Sequence, residues 1–224
     1  MKHAVLPLLL AASLVSVPLT AAELDTDKQK FSYALGGQIG NNVKQQGVDV
    51  DTDAFVEGMR DVLNDAEMQL TPEQMQQAAQ SYQKTLQAER DAKGGDNAKV
   101  GSDFRARNKT AEGVKETASG IQYKVVESGS GAQPSADSEV TVHYRGKLID
   151  GEEFDSSYSR GEPATFKVDQ VIKGWQEILP MMKEGDKWQI VIPPDLAYGE
   201  RGAGASIGPN ETLIFDVELI KVES

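Results

Sequence analysis

The chain contains no cysteine and only two histidines, His3 and His143, in 224 residues. The first absence excludes disulfides, thiolate zinc sites and cysteine nucleophiles, and the second excludes a multi-histidine metal site. Basic residues are scarce: 23 Lys+Arg face 35 Asp+Glu, for a net charge of −12. Such a chain suits a phosphate backbone poorly, so nucleic acid is not an expected partner. Aromatics make up only 6% of residues. No uninterrupted apolar run reaches the length of a membrane-spanning helix. Proline almost vanishes from one stretch, where Pro72 alone lies between Glu23 and Thr117. The remaining 39% hydrophobic content suffices for one large or two small domains, at roughly 100–200 residues each. A chain of this length can bury a core without covalent staples.

The first 22 residues read as an address. Lys2 and His3 precede an apolar run from Ala4 to Val17, broken by Pro7, Ser13 and Ser16, and small residues end at Ala21 and Ala22. This is the pattern of a secretory signal peptide cut after Ala22. Residues 1–22 are therefore expected to be removed and the protein delivered to a periplasm, with outer-membrane association or surface exposure as further destinations.

Composition changes near residue 117. From Glu23 to Thr117 the chain is rich in Gln, Asp, Ala and Lys, whereas residues 118–224 hold six prolines and nine of the fourteen aromatics. The first half reads as helix. Phe31, Leu35, Ile39 and Val43 recur at four-residue spacing, with Gly47 as a stop. Gly36, Gly37 and Gly40 inside that pattern point to close helix–helix contact, since each costs about 1 kcal/mol relative to alanine in a helix interior. A second helix from Thr52 or Asp53 carries Phe55, Val56, Met59, Val62 and Leu63. A third opens on Thr71-Pro72-Glu73-Gln74, where Thr71 caps, Pro72 suits the first helical position and Gln74 completes a capping box. Its stripe of Met75, Ala79, Tyr82 and Leu86 runs to about Lys93. Gly94-Gly95 then interrupts, and a helix restarting at Asp96 reaches about Arg107. The pattern leaves open whether this is one kinked helix or two. Residues 23–93 are read as a helical module and 94–117 as a connecting helix or linker. A module of about 70 residues buries little on its own. Dimerisation is the economical answer; packing on the second half of the same chain is the alternative.

The second half reads as strands around one short helix. Ile121, Tyr123 and Val125 alternate. In Glu139 to Arg145, Val140, Val142 and Tyr144 share one face and Thr141, His143 and Arg145 take the other. Asp150-Gly151 marks a tight turn, and Ala164 to Val168 is a further strand. Gln170 to Met182 carries Val171, Trp175, Ile178 and Leu179 at helical spacing. Trp188, Ile190 and Ile192 alternate, as do Leu213, Phe215, Val217 and Leu219. The expected fold class is α+β: a C-terminal antiparallel sheet wrapped around a short helix, preceded by an all-α module and a long connecting helix.

Five ordered blocks carry a resemblance: Val142-His143-Tyr144-Arg145-Gly146, Asp150 to Ser157, Gln170 to Trp175, Pro194 to Gly199, and Leu213 to Leu219. Together they resemble an FKBP-type peptidyl-prolyl cis/trans isomerase over residues 118–224. The stretches Thr26 to Gly36 and Leu70 to Met75 resemble the N-terminal region of such enzymes, in the arrangement of macrophage infectivity potentiator (Mip)-like members. The resemblance implies rotation of X–Pro bonds in proline-containing peptides and unfolded exported proteins, with no cofactor and no metal. It implies a proline pocket lined by Tyr144, Phe154, Val171, Ile172, Trp175 and Phe215, with Trp175 as floor. It assigns catalytic roles to Tyr198, donating to the substrate carbonyl, and to Asp155, orienting polar groups at the rim. Ile207, between Gly202 and Pro209, would contact substrate from a flap. A homodimer through residues 23–93 is implied, and macrolide inhibitors are admitted as ligands. A holdase chaperone that grips unfolded chains in a dimer cleft is the rival reading.

Competing chemistries fare poorly. His143, Asp155 and Ser156 are the ingredients of a hydrolytic triad, but His143 falls on the strand face opposite Tyr144 and no Gly-x-Ser-x-Gly elbow exists. The glycines from Gly199 to Gly208 precede no Gly-Lys-[Ser/Thr] sequence, so they read as a mobile flap and not a phosphate loop.

Overall fold

The structure, a computed structural model, describes residues 24–223; the expected signal peptide lies outside them. The chain divides between Ala66 and Glu67 into two compact units.

The first unit is a helix pair, α1 (Asp27–Gln45) and α2 (Thr52–Leu63). Thr26 and Gln29 close a capping box on α1, and the Asp51 side chain accepts from Ala54 N at 2.9 Å to start α2. Such caps satisfy amide donors that a helix leaves unpaired at its N-terminus. Neither helix has a buried residue. Phe31 is 70% exposed and Leu63 82%. The close contact expected at Gly36, Gly37 and Gly40 is not made inside this helix pair, because a side-chain carbon placed at any of them would meet nothing within 4 Å among the described residues. Two helices alone have no second layer to cover their apolar stripes.

The second unit begins with α3 (Pro72–Asn108), whose start is the expected capping box of Thr71 and Gln74. It runs unbroken through Gly94-Gly95, which settles the alternative left open by the sequence. The two glycines cost about 2 kcal/mol together in a helix interior, and the close contacts described below require one of them.

Seven strands follow: β1 (Val114–Glu116), β2 (Gln122–Glu127), β3 (Glu139–Lys147), β4 (Glu153–Ser156), β5 (Ala164–Lys167), β6 (Lys187–Ile192) and β7 (Leu213–Glu223), with the short helices α4 (Ser157–Arg160) and α5 (Lys173–Ile178) between them. All pairings are antiparallel, in the order β1-β2-β6-β7-β3-β4, with β5 beside the first half of β3. The alternation read in β3 is realised: Val140, Val142 and Tyr144 are buried, and His143 lies on the other face. Leu213, Phe215, Val217 and Leu219 of β7 face the same core. The concave sheet wraps α5, whose Trp175 and Ile178 are buried. This helix is shorter than the expected span from Gln170 to Met182. Two turns of 3₁₀ helix, Val168–Gln170 and Leu179–Met181, flank it, and Pro180 cannot extend the helical ladder. Close packing here depends on Gly174, where a side-chain carbon would come within 2.6 Å of Ile192 Cγ2.

Candidate active site

Between α5 and the inner face of the sheet lies an open cavity of about 340 Å³, lined by Tyr144, Phe154, Asp155, Phe166, Gln170, Val171, Ile172, Trp175, Tyr198 and Phe215. Trp175 forms its base. The indole ring meets Tyr144, Phe215 and Phe166 edge-on, with centroids 5.4, 5.3 and 5.9 Å away. Phe154 stands edge-on to Phe215 at 5.6 Å. Aromatic edges on aromatic faces satisfy the rings' quadrupoles and fix their angles. Gly146 of β3 makes room for this pair, since a side-chain carbon there would come within 2.6 Å of the Phe154 ring. Val171 and Ile172 form the wall between the first 3₁₀ turn and α5.

The polar rim has two parts. Asp155 accepts from the Tyr144 hydroxyl and, at 2.5 Å, from Arg160 Nη1. Arg160 Nη2 also donates to the Tyr144 hydroxyl at 2.9 Å, and its guanidinium lies 5.5 Å from the centre of the Tyr144 ring. Burial pushes the Asp155 carboxyl up, but the bonds from Tyr144 and Arg160 outweigh it and hold the group below its ordinary range. Asp155 is thus a fixed carboxylate at neutral pH. Tyr198 is the other part. Its hydroxyl has no hydrogen-bond partner among the described residues, and burial, aided by the Asp155 charge, raises its pKa. It therefore stays protonated and presents a free O–H donor.

Eight of the nine residues assigned from sequence meet at this cavity; Ile207 does not. Its side chain is 9% exposed and packs into the core. Its backbone pairs with Ala203, N to O at 3.1 and 2.9 Å, and so closes the loop after Tyr198 on itself. Three participants were not singled out from sequence: Phe166, Gln170 and Arg160. Phe166 had a signal, as the inward position of an expected strand. Arg160 had none, because its pairing with Asp155 depends on the turn of α4. His143 sits outside the cavity, 2.9 Å from Ser157 Oγ and stacked on Tyr158, so the hydrolytic arrangement does not form.

An antiparallel sheet wrapped around one short helix, with an aromatic cavity between them, places the second unit in the FKBP-like class of peptide-binding folds. Comparison with known proteins agrees. Residues 130–220 match the family described as FKBP-type peptidyl-prolyl cis-trans isomerase, and residues 28–125 the domain found amino-terminal to it. The chain is 45% identical to the Outer membrane protein MIP of Legionella longbeachae, over 96% of this chain and 94% of that one. It is 43% identical to the Peptidyl-prolyl cis-trans isomerase Mip of Coxiella burnetii, over 100% and 99%. The crystal structure of FkpA from Escherichia coli is similar at a TM-score of 0.62 and 40% identity, covering 90% of this chain and 99% of that one. The chain belongs to the FKBP-type peptidyl-prolyl cis-trans isomerases, of the Mip and FkpA kind, and is an enzyme that speeds rotation about X–Pro bonds.

Proposed function

We propose that this isomerase acts on exported, unfolded chains and that the cavity over Trp175 receives the proline ring. The observation that carries the reading is the pairing of an aromatic floor with the Tyr198 hydroxyl at its rim, which has no hydrogen-bond partner among the described residues. An X–Pro amide resists rotation by about 18–20 kcal/mol because the planar form is conjugated. Rotation needs no bond made or broken; the enzyme must bind the twisted amide better than the planar one. The planar amide has the larger dipole and loses more on leaving water, so an apolar floor selects the twisted form. Tyr198 holds the substrate carbonyl, and Asp155, locked by Tyr144 and Arg160, fixes the polar edge against which the peptide lies. Val171, Ile172, Phe154 and Phe215 wall the ring, while Ile207 supports the loop from the core side. Macrolides that present a ring in place of proline would compete for the same cavity.

Tyr198→Phe tests the donor. A carbonyl oxygen is more basic in the planar amide, so this hydrogen bond anchors substrate more than it favours rotation. The expected result in a prolyl-peptide assay is a KM raised about tenfold with kcat changed less, the pattern of lost uniform binding. Unchanged turnover at all substrate concentrations removes Tyr198 from the site.

The helical unit supports assembly. An open groove of about 750 Å³ runs between the apolar faces of α1 and α2, lined by Gly36, Gly40, Val43, Val48, Phe55, Val56 and Met59 among others. Residues 23–93 are proposed to pair two chains through this face and, secondarily, to hold unfolded clients in the cleft so formed. Val56→Asp places a charge on that face and is expected to yield a single-chain mass in light scattering, with peptide turnover retained. A dimer that persists in this variant places the interface elsewhere. Residues 1–22 are proposed as a signal peptide cleaved after Ala22 that directs the chain to the periplasm. No helix among the described residues is long and apolar enough to cross a membrane.

A further inference from the structure

The C-terminal half of α3 does not simply connect. Arg90, Gly94, Asn97, Gly101, Arg105 and Asn108 recur every three or four residues and so form one face. That face is seated on the loop between Tyr198 and β7. Arg90 Nη2 donates to Arg201 O, and Asn97 Nδ2 to Pro209 O at 2.9 Å. Arg105 Nη1 donates to Thr212 Oγ1, and Asn108 Nδ2 to the buried Gln122 at 2.8 Å. Gly94 and Gly101 are the buried residues of α3. A side-chain carbon on Gly101 would overlap Thr212, whose own side chain is fully buried, and one on Gly94 would lie 3.2 Å from Asn210 Nδ2.

Asn210 joins helix to site. Its side chain donates to Gly94 O at 3.3 Å, while its backbone N donates to the carbonyl of Gly199 at 2.8 Å. Gly199 directly follows Tyr198. Asn210 adopts φ 55, a left-handed conformation that asparagine tolerates better than most side chains.

We propose that α3 is a positioning element of the isomerase site: docked through Gly94 and Gly101, it uses Asn210 to hold Gly199, and with it the Tyr198 hydroxyl, at the cavity rim. This rests on the reading of Tyr198 as the substrate-facing donor. It assigns Asn210 as a positioning residue. It also gives the helical half of the chain a direct effect on turnover, separate from any role in assembly.

Leucine scanning of α3 in the full chain tests it. Gly101→Leu and Gly95→Leu both raise helix propensity, but a side-chain carbon at Gly95 meets nothing within 4 Å among the described residues. Gly101→Leu is expected to lower kcat/KM about tenfold, a cost typical of small misplacements of a binding group, and to speed amide hydrogen exchange across residues 199–212. Gly95→Leu is expected to leave both unchanged. Asn210→Asp, which keeps the tolerance for left-handed backbone but loses the donor to Gly94, is the milder variant should Gly101→Leu fail to fold. It is expected to lower kcat/KM about threefold by the same displacement, without moving the melting temperature. In a Tyr198→Phe background the effect of Gly101→Leu on turnover should vanish while its effect on exchange remains. The proposal is overturned if exchange in the loop is unchanged, or if exchange rises while turnover stays at the wild-type level. Should Tyr198→Phe alone leave turnover unchanged, the site reading fails; the exchange comparison still decides whether α3 holds the loop.

Discussion

Replacing Asp155 by alanine is expected to cut kcat/KM by about tenfold or more at neutral pH, less than the hundredfold typical of a fully enclosed polar group because this one is partly solvated. The carboxylate is the common acceptor for Tyr144 and Arg160. Without it the guanidinium retains its bond to the Tyr144 hydroxyl and its place over the Tyr144 ring, but the rim loses its negative charge and the acceptor that fixes its geometry. Asp155→Asn keeps the shape but weakens both charge-assisted bonds, so an intermediate loss is expected. The pH profile provides a second readout. Because the folded-state pKa is lowered, the carboxylate and its bonds are present above the ordinary value of 3.8 and are lost as pH falls through the depressed folded value. Turnover dependent on Asp155 should therefore stay level down to pH 4 and decline only below it, while Asp155→Asn should show no such decline. A wild-type fall in turnover centred between pH 5 and 6 would assign the titration to a different group. The stability effect of the same substitutions should be small, since side chains on both sides of the Arg160 pair are more than two-fifths exposed.

Trp175→Ala is expected to be the most damaging single change to stability. The indole is 4% exposed and touches three aromatic rings. Removing a buried ring of this size costs about 3–5 kcal/mol, set against the 5–15 kcal/mol that typically holds a domain together. Urea unfolding followed by the fluorescence of Trp188, which is stacked on Tyr123 at 4.7 Å, should shift its midpoint down with little change in slope. Turnover should be lost even where the variant is folded, because the cavity has no floor. Trp175→Phe should be much milder. The indole N–H is buried without a partner among the described residues, and removing an unpaired donor relieves a desolvation cost that offsets part of the lost packing. A Phe variant as destabilised as the Ala variant would show that the indole's full width, more than its apolar character, supports the core.

The two substitutions separate what was legible in the sequence from what was not. Trp175, Tyr144 and Phe215 lie on apolar faces whose periods of 3.6 and 2 are local properties of the chain, so their burial could be read directly. The capping box at Thr71 and Gln74 was legible for the same reason, since donor and acceptor are three residues apart. Family resemblance brought Asp155 and Tyr198 to the same site. Arg160, which locks Asp155, was not visible, because a surface arginine after a turn carries no pattern. The docked face of α3 was hidden more completely. A search for apolar stripes finds Met75, Tyr82 and Leu86, which are exposed, and passes over the glycines, asparagines and arginines that make the contact.

The sequence by itself determined the α+β class, the division into a helical and a stranded half, the burial of Trp175, Tyr144 and Phe215, and the family. Each follows from local periodicity or from ordered motifs. Only the tertiary structure decided that α3 is continuous through Gly94-Gly95, that Gly36, Gly37 and Gly40 stand open, and that Ile207 faces the core. The physical reason is shared. A glycine states only that a side chain is missing, and its meaning depends on what approaches the vacant space. At Gly94 and Gly101 a loop more than a hundred residues away occupies that space, and no pattern within the helix can specify it.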